Sequence, residues 1–355
     1  MVKTDIVSGF LGAGKTTLIK KLLADVFASG GEKVAIVENE FGKVGIDGGF
    51  LKDSGFEIAE INSGCICCSL QGDFVEALKK LCDAFHPDRI IIEPSGVGKL
   101  SDVANRIKEV EGLELNCMTS VIDATKCKMY LRNFEEFYEN QIRFATAVVL
   151  SRTSGISRAK LDEAVALIRQ INPSASLVTT PWEELSGRQL LDAMENTDTA
   201  MTDVTELLEE YLRSNEEHHH HHHHHDEECD DPDCECHHHG DKEEDHHHHH
   251  NGEEEEHNHH HGHDADDVFA SLGFETAADF SPEFITECLG RLDSPSYGMV
   301  LRAKGIVRKT GGGWLHFDYV PGEVSVRDGS ADITGKLCVI GSGIDREKIA
   351  NLFGI

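Results

Sequence analysis

Eight residues near the start of the chain have the types and spacing needed to hold a phosphate. Gly9-Phe10-Leu11-Gly12-Ala13-Gly14-Lys15-Thr16 fits Gly-x-x-x-x-Gly-Lys-[Ser/Thr], and it lies between an apolar run, Lys3–Ser8, and a helical one carrying Leu18, Ile19, Leu22, Leu23, Val26 and Phe27. Glycines there let backbone N–H groups turn inward and, with a helix N-terminus, cradle phosphate oxygens. The expected nucleotide contacts are Gly9, Gly12, Ala13, Gly14, Lys15, Thr16 and Thr17. Lys15 reaches the β- and γ-phosphates in such a loop, and the Thr16 hydroxyl takes Mg²⁺. A second acidic element belongs on a neighbouring strand. Ile90-Ile91-Ile92-Glu93-Pro94-Ser95-Gly96 supplies it, with Glu93 to organise Mg²⁺ or the attacking water and Gly96 to bring a backbone N–H near the terminal phosphate.

A second chemistry sits in Asn62-Ser63-Gly64-Cys65-Ile66-Cys67-Cys68, which gathers three thiols just after an expected strand. Thiolates are soft ligands suited to Zn²⁺ and related transition metals. A third sits in residues 216–267. They hold 20 Asp and Glu against the single Lys242, a net of −19, together with 21 of the chain's 23 His and with Cys229, Cys234 and Cys236. Runs beginning at His218, His237 and His246 offer imidazole to Zn, Ni, Co or Cu, and the carboxylates raise the local cation concentration. With almost nothing apolar to bury, the segment is expected to be a disordered, metal-capturing linker. Cys82, Cys117, Cys127, Cys288 and Cys338 lie in or beside apolar runs and are expected to pack in cores. His316 is expected at the surface or with its hydrogen bonds satisfied.

The whole chain of 355 residues carries 33 Lys and Arg against 64 Asp and Glu, a formal charge of −31. That excess argues against nucleic acid and anionic membranes as partners, since both need a basic face. No apolar run approaches the roughly 20 residues of a spanning helix. The first residues already read as a strand and not as a leader, so the expected compartment is the cytoplasm.

The elements that must position these residues follow from periodicity. Strands are expected at Lys3–Ser8, Val34–Val37, Phe56–Ile61, Arg89–Ile92, Leu115–Ile122 and Thr146–Leu150, with helices after the glycine loop and over Phe74–Leu81 and Arg158–Ile171. Short apolar strands alternating with helices imply an α/β fold, a P-loop NTPase domain with a mostly parallel sheet, over residues 1–215. After the linker, Ser281-Pro282-Glu283 opens a helix. Strands follow at Met299–Ala303, Trp314–Tyr319, Glu323–Val326 and Leu337–Ile340, and Asp345–Phe353 closes as a helix. Residues 268–355 thus read as a small α+β domain.

Gly9–Thr17, the Gly-Cys-Ile-Cys-Cys segment, Glu38-Asn39-Glu40-Phe41-Gly42 and Glu93-Pro94-Ser95-Gly96 together closely resemble the CobW-type metallochaperone GTPases. The tail is similar to that family's small C-terminal domain. The resemblance implies a GTPase whose hydrolysis is coupled to insertion of a metal into a client metalloprotein. It implies Cys65, Cys67 and Cys68 as metal ligands, Glu38 as an oxygen ligand nearby and Gly42–Asp47 as a switch loop. Zn²⁺ is the foremost cargo, with Co²⁺ and Ni²⁺ open. One departure stands out. The family usually carries Asn-Lys-x-Asp after the sixth strand, its Asp gripping guanine, where this chain has Ser151-Arg152-Thr153-Ser154. GTP is therefore expected with ATP open, and Arg152 is expected to stack on the base. Two other readings stay open: a metal buffer with slow hydrolysis, and a P-loop kinase acting on a small molecule.

Overall fold

A computed structural model describes residues 1–28, 31–38, 57–60, 71–219 and 268–355. Its first half is the expected parallel sheet. Strands β1 (Val2–Gly9), β2 (Val34–Glu38), β3 (Glu57–Glu60), β4 (Arg89–Glu93), β5 (Leu113–Asp123), β6 (Ala147–Ser151) and β7 (Ser176–Val178) pair in the order β3-β2-β4-β1-β5-β6-β7. Every pairing is parallel. Each strand therefore ends at one edge of the sheet, and the loops that follow collect there.

Helices cover both faces, because these central strands are buried throughout and read as continuous apolar runs. They are α1 (Lys15–Leu22, extended by a π-helical turn Leu23–Phe27), α2 (Gln71–Phe85), α3 (Leu100–Lys108), α4 (Cys127–Asn133), α5 (Glu135–Arg143), α6 (Arg158–Ile171), α7 (Gly187–Glu195) and α8 (Asp198–His219). Leu18, Ile19 and Leu22 of α1 meet Val7, Ile36 and Val121 of the sheet in one core, with Leu190 and Met194 of α7. The helix α8 runs on to His219, so residues 216–219, expected as the start of the linker, are helical. Residues 220–267 lie outside the described residues, as does the rest of the linker expectation.

One buried charge cluster ties this sheet together. Arg89 donates to Asp5 on the neighbouring strand, to Glu32 at 3.1 Å and to Glu195 at 2.8 Å, and Asn116 donates to both Asp5 and Glu195. Arg89 and Asp5 side chains are each 3% exposed.

The second sheet is built from β8 (Ala270–Thr276), β9 (Asp279–Phe280), β10 (Met299–Lys309), β11 (Trp314–Val320), β12 (Glu323–Gly329) and β13 (Gly335–Ser342). Its main path runs β12-β11-β10-β13-β8, all antiparallel, with short β9 alongside β10. Helices α9 (Pro282–Arg291) and α10 (Arg346–Phe353) cover one face. Ser281 and Asp345 cap them, each side chain accepting a backbone N–H of the first turn. Both sheets belong to one compact unit, within Met1–Leu208 and His263–Ile355. No described helix is long and apolar enough to cross a membrane.

Candidate nucleotide site

The glycine loop leaves β1 and turns straight into α1, with Gly12 and Gly14 at positive φ. Lys15, the first residue of α1, folds back over the loop, and its Nζ donates to the carbonyls of Gly9 at 2.9 Å and Phe10 at 3.4 Å. It is only 4% exposed. Burial pushes its ammonium down to about 8; the Glu93 carboxylate pulls the other way, and Arg302 and Lys304 add to the push. An anion bound in this loop would relieve that repulsion.

The Thr16 hydroxyl points across to β4 and donates to both oxygens of Glu93, at 3.0 and 3.1 Å. A hydroxyl and a carboxylate so placed form an all-oxygen donor pair, and that chemistry suits Mg²⁺. Gly96 backs onto the loop: a Cβ there would stand 2.7 Å from the Leu11 backbone nitrogen. The Gln141 amide donates to the carbonyls of Gly96 at 3.2 Å and Gly98 at 2.9 Å, pinning that turn from α5. Ala13 is buried under the loop and Thr17 is exposed on α1.

Glu38 ends β2, buried, in register with Glu93 on one side and Glu60 on the other. The ends of three adjacent strands thus carry a row of glutamates. Cys65, Cys67, Cys68 and the Gly42–Asp47 loop lie outside the described residues, as do Cys229, Cys234, Cys236, His237 and His246. His218 falls in the last turn of α8. Among the described residues no group of three His, Cys, Asp or Glu side chains is placed to hold a metal ion.

Arg152 bridges the phosphate loop and the second sheet. Its guanidinium donates twice to Glu323 of β12, at 2.6 and 2.7 Å, and once to the Gly12 carbonyl at 2.9 Å, with Asp123 3.5 Å away. This is a bidentate clamp, a geometry a planar guanidinium favours, and Arg152 also lines the cavity over the loop, where a nucleotide base was expected to meet it. Hydrogen bonds from Arg152 hold the Glu323 carboxyl below its ordinary value. The pair therefore contributes at neutral pH and is lost only as acid takes the pH below about 4.3. Trp182, whose indole donates to the Leu150 carbonyl at 2.9 Å, lies against Gly14 from the other side. Of the cysteines expected in cores, Cys117, Cys127, Cys288 and Cys338 are buried, whereas Cys82 on α2 is half-buried. His316 bonds the Ser330 carbonyl at 2.9 Å and is satisfied.

The loop, Glu93 and the second sheet enclose a cavity of about 620 Å³. Residues 3–179 match the CobW/HypB/UreG nucleotide-binding domain, and residues 269–354 match the cobalamin synthesis protein CobW C-terminal domain. The chain belongs to the CobW/HypB/UreG family. Its similar proteins include the zinc chaperone YeiR of Escherichia coli strain K12, 47% identical over 98 residues, which are 28% of this chain and 29% of that protein. The zinc chaperone CobW of a Sinorhizobium species is 42% identical over 103 residues, covering 27% of this chain and 28% of that one. The zinc chaperone YjiA of E. coli is 30% identical over 182 residues, covering 48% and 56%. The chain thus spans between about a quarter and just over half of the curated relatives it matches. In this CobW-type chain the structure brings together the loop and Glu93, which the sequence pattern had singled out. The sequence pattern gave no sign of Gln141, Trp182 or the wall contributed by β10–β12, because nothing local to those residues refers to a loop that for Val320 and Glu323 is more than 300 positions away.

Proposed function

We propose that this protein is a GTP-hydrolysing metallochaperone that binds a transition metal, Zn²⁺ foremost, and yields it to a client metalloprotein. The observation that carries the reading is the approach of Thr16 and Glu93 to each other beside a buried Lys15. The names of the matched relatives support zinc as the cargo. Backbone N–H groups of Gly12–Thr16 bind the phosphates, and Lys15 holds the β–γ end in place. Thr16 and Glu93 would hold Mg²⁺, and the ion would supply charge neutralisation to the phosphates. In this reading Glu93 also orients the water that attacks the γ-phosphorus, giving GDP and phosphate. Cys65, Cys67 and Cys68, with Glu38, receive the cargo metal, and the His-rich segment gathers it.

Glu38 at the end of β2 stands in register with Glu93 at the end of β4, which places the proposed metal and nucleotide ligands on adjacent strands. The two sites should therefore be coupled. Linkage makes the effect reciprocal, and an allosteric coupling of about 1–3 kcal/mol is expected. Titrating Zn²⁺, Co²⁺ and Ni²⁺ with and without a non-hydrolysable GTP analogue measures it. Replacing Cys65, Cys67 and Cys68 by Ser should abolish it. Equal metal affinities in both nucleotide states would overturn the chaperone reading in favour of a simple metal buffer.

Base selection should be weak by GTPase standards. A site that hydrogen-bonds the right base rejects the wrong one by about 10⁴ or more. Here Ser151-Arg152-Thr153-Ser154 supplies no carboxylate and Arg152 is held by Glu323. Competition binding of GTP against ATP should give a smaller ratio. A ratio above that level would mean that another carboxylate reads guanine.

A further inference from the structure

The cavity over the phosphate loop has a wall that the nucleotide-binding domain does not make. One side is Gly12, Gly14, Lys15, Thr16, Thr17 and Glu93; the opposite side is Arg302 of β10, Tyr319 and Val320 at the end of β11, and the turn into β12. Three separate contacts hold that wall in place. The Val320 side chain fills the space where a Cβ on Gly12 would stand. Glu323 takes the bidentate pair from Arg152, which also grips the Gly12 carbonyl. Phe269, at the entry to the second sheet, is 2% exposed and packs its ring at 6.0 Å from Phe10 of the loop, 5.2 Å from Phe134 and 5.3 Å from Phe137.

The alternation of β10 then decides which side chains face the loop. Ala303 and Val307 enter the core of the second sheet. Arg302 and Lys304 fall on the other face, where Lys304 is nonetheless 3% exposed. Both lie close enough to Lys15 to repel its ammonium. Of these, Lys15 and Arg302 line the cavity itself, from opposite sides; a polyanion bound between them would be attracted by both. Arg302 shares that cavity with Thr16 and Glu93, the pair at the terminal-phosphate end, while the Arg152–Glu323 clamp lies towards the loop after β6.

We propose that Arg302 binds the terminal phosphate of the nucleotide in cis, so that the second sheet completes the triphosphate site and distinguishes triphosphate from diphosphate. This rests on the nucleotide reading given above. A guanidinium is suited to the task because its planar fork presents several donors to phosphate oxygens. A diphosphate offers Arg302 no terminal phosphate to bind, while the loop contacts to the remaining phosphates are unchanged.

The test is equilibrium binding of fluorescent GDP and of a fluorescent non-hydrolysable GTP analogue, with Mg²⁺, to the full chain. Wild type, Arg302→Ala, Arg302→Lys and Lys15→Ala are compared, with thermal melting to confirm folding. Arg302→Ala should weaken the triphosphate analogue by about tenfold or more, the worth of one charged hydrogen bond, and leave GDP nearly unchanged. Arg302→Lys, which keeps the charge and guards against a variant that fails to fold, should recover part of the loss. Equal weakening of both nucleotides, or no change in either, would overturn the proposal while Lys15-dependent binding upholds the nucleotide site. Wild type that binds neither nucleotide would overturn the functional reading itself, and this inference with it.

Discussion

Lys15→Ala should lower GTP turnover by about 10²–10³-fold, the usual cost of deleting one pre-positioned charge donor from a transition state. The fold should survive the change. The ammonium contributes little to stability where it sits, since burial and two neighbouring cations already disfavour its charge. Among the described residues the change removes its bonds to the Gly9 and Phe10 carbonyls and the attraction of Glu93. Phosphate release with saturating GTP and Mg²⁺, set beside a melting curve, separates the two effects. Unchanged turnover in a folded variant would remove the loop from the mechanism.

Arg89→Ala should have the opposite profile, a large loss of stability at a site remote from the phosphate loop. Removing Arg89 leaves Asp5 buried without its charge partner and takes a donor from Glu32 and Glu195. Breaking such a buried pair from one side costs about 3–5 kcal/mol. Urea unfolding measures it. Adding Asp5→Ala should recover part of the loss, because the stranded carboxylate is then gone. A single-variant loss below about 1 kcal/mol would mean that water reaches Asp5 and solvates it.

How much of this was legible depends on where the deciding partner lies. The strand–loop–helix at Val2–Leu22 and strand β4 with Glu93 were readable because motif and periodicity coincide within a few residues. Helices α4 and α5 were not. The inward face of α5 mixes Phe137 and Ile142 with the buried amides Asn140 and Gln141, which erase the apolar stripe that marks a helix, and α4 is only seven residues long with Cys127 and Tyr130 buried. Strand β10, expected over Met299–Ala303, continues through Lys304-Gly305 to Lys309. Gly305 is there to leave room for the Phe317 ring, and Lys304 faces the other sheet. Arg302, Val320 and Glu323 acquire their meaning only when the second sheet lies against the first. The thiols and the His-rich segment were conspicuous in sequence, and their readings fall outside the described residues.

Phe269 also sets a timetable. The aromatic cluster on Phe10 is assembled from Tyr130, Phe134, Phe137 and Tyr138, all in the first half of the chain, and is closed by a ring from the second. Phe269 lies 132 positions after Phe137 in the order of synthesis. At about 5–20 residues per second, a ribosome needs roughly 7–26 s to make the stretch between them. For the last 91 positions of that stretch, once β7 has ended at Val178, the nascent nucleotide-binding domain has all its strands but its apolar notch uncovered, directly beneath the phosphate loop. An uncovered aromatic patch on a nascent chain is a target for holding chaperones and for premature association. The long polar insert, whatever it gathers, therefore lengthens the time during which each new molecule must be kept from its neighbours.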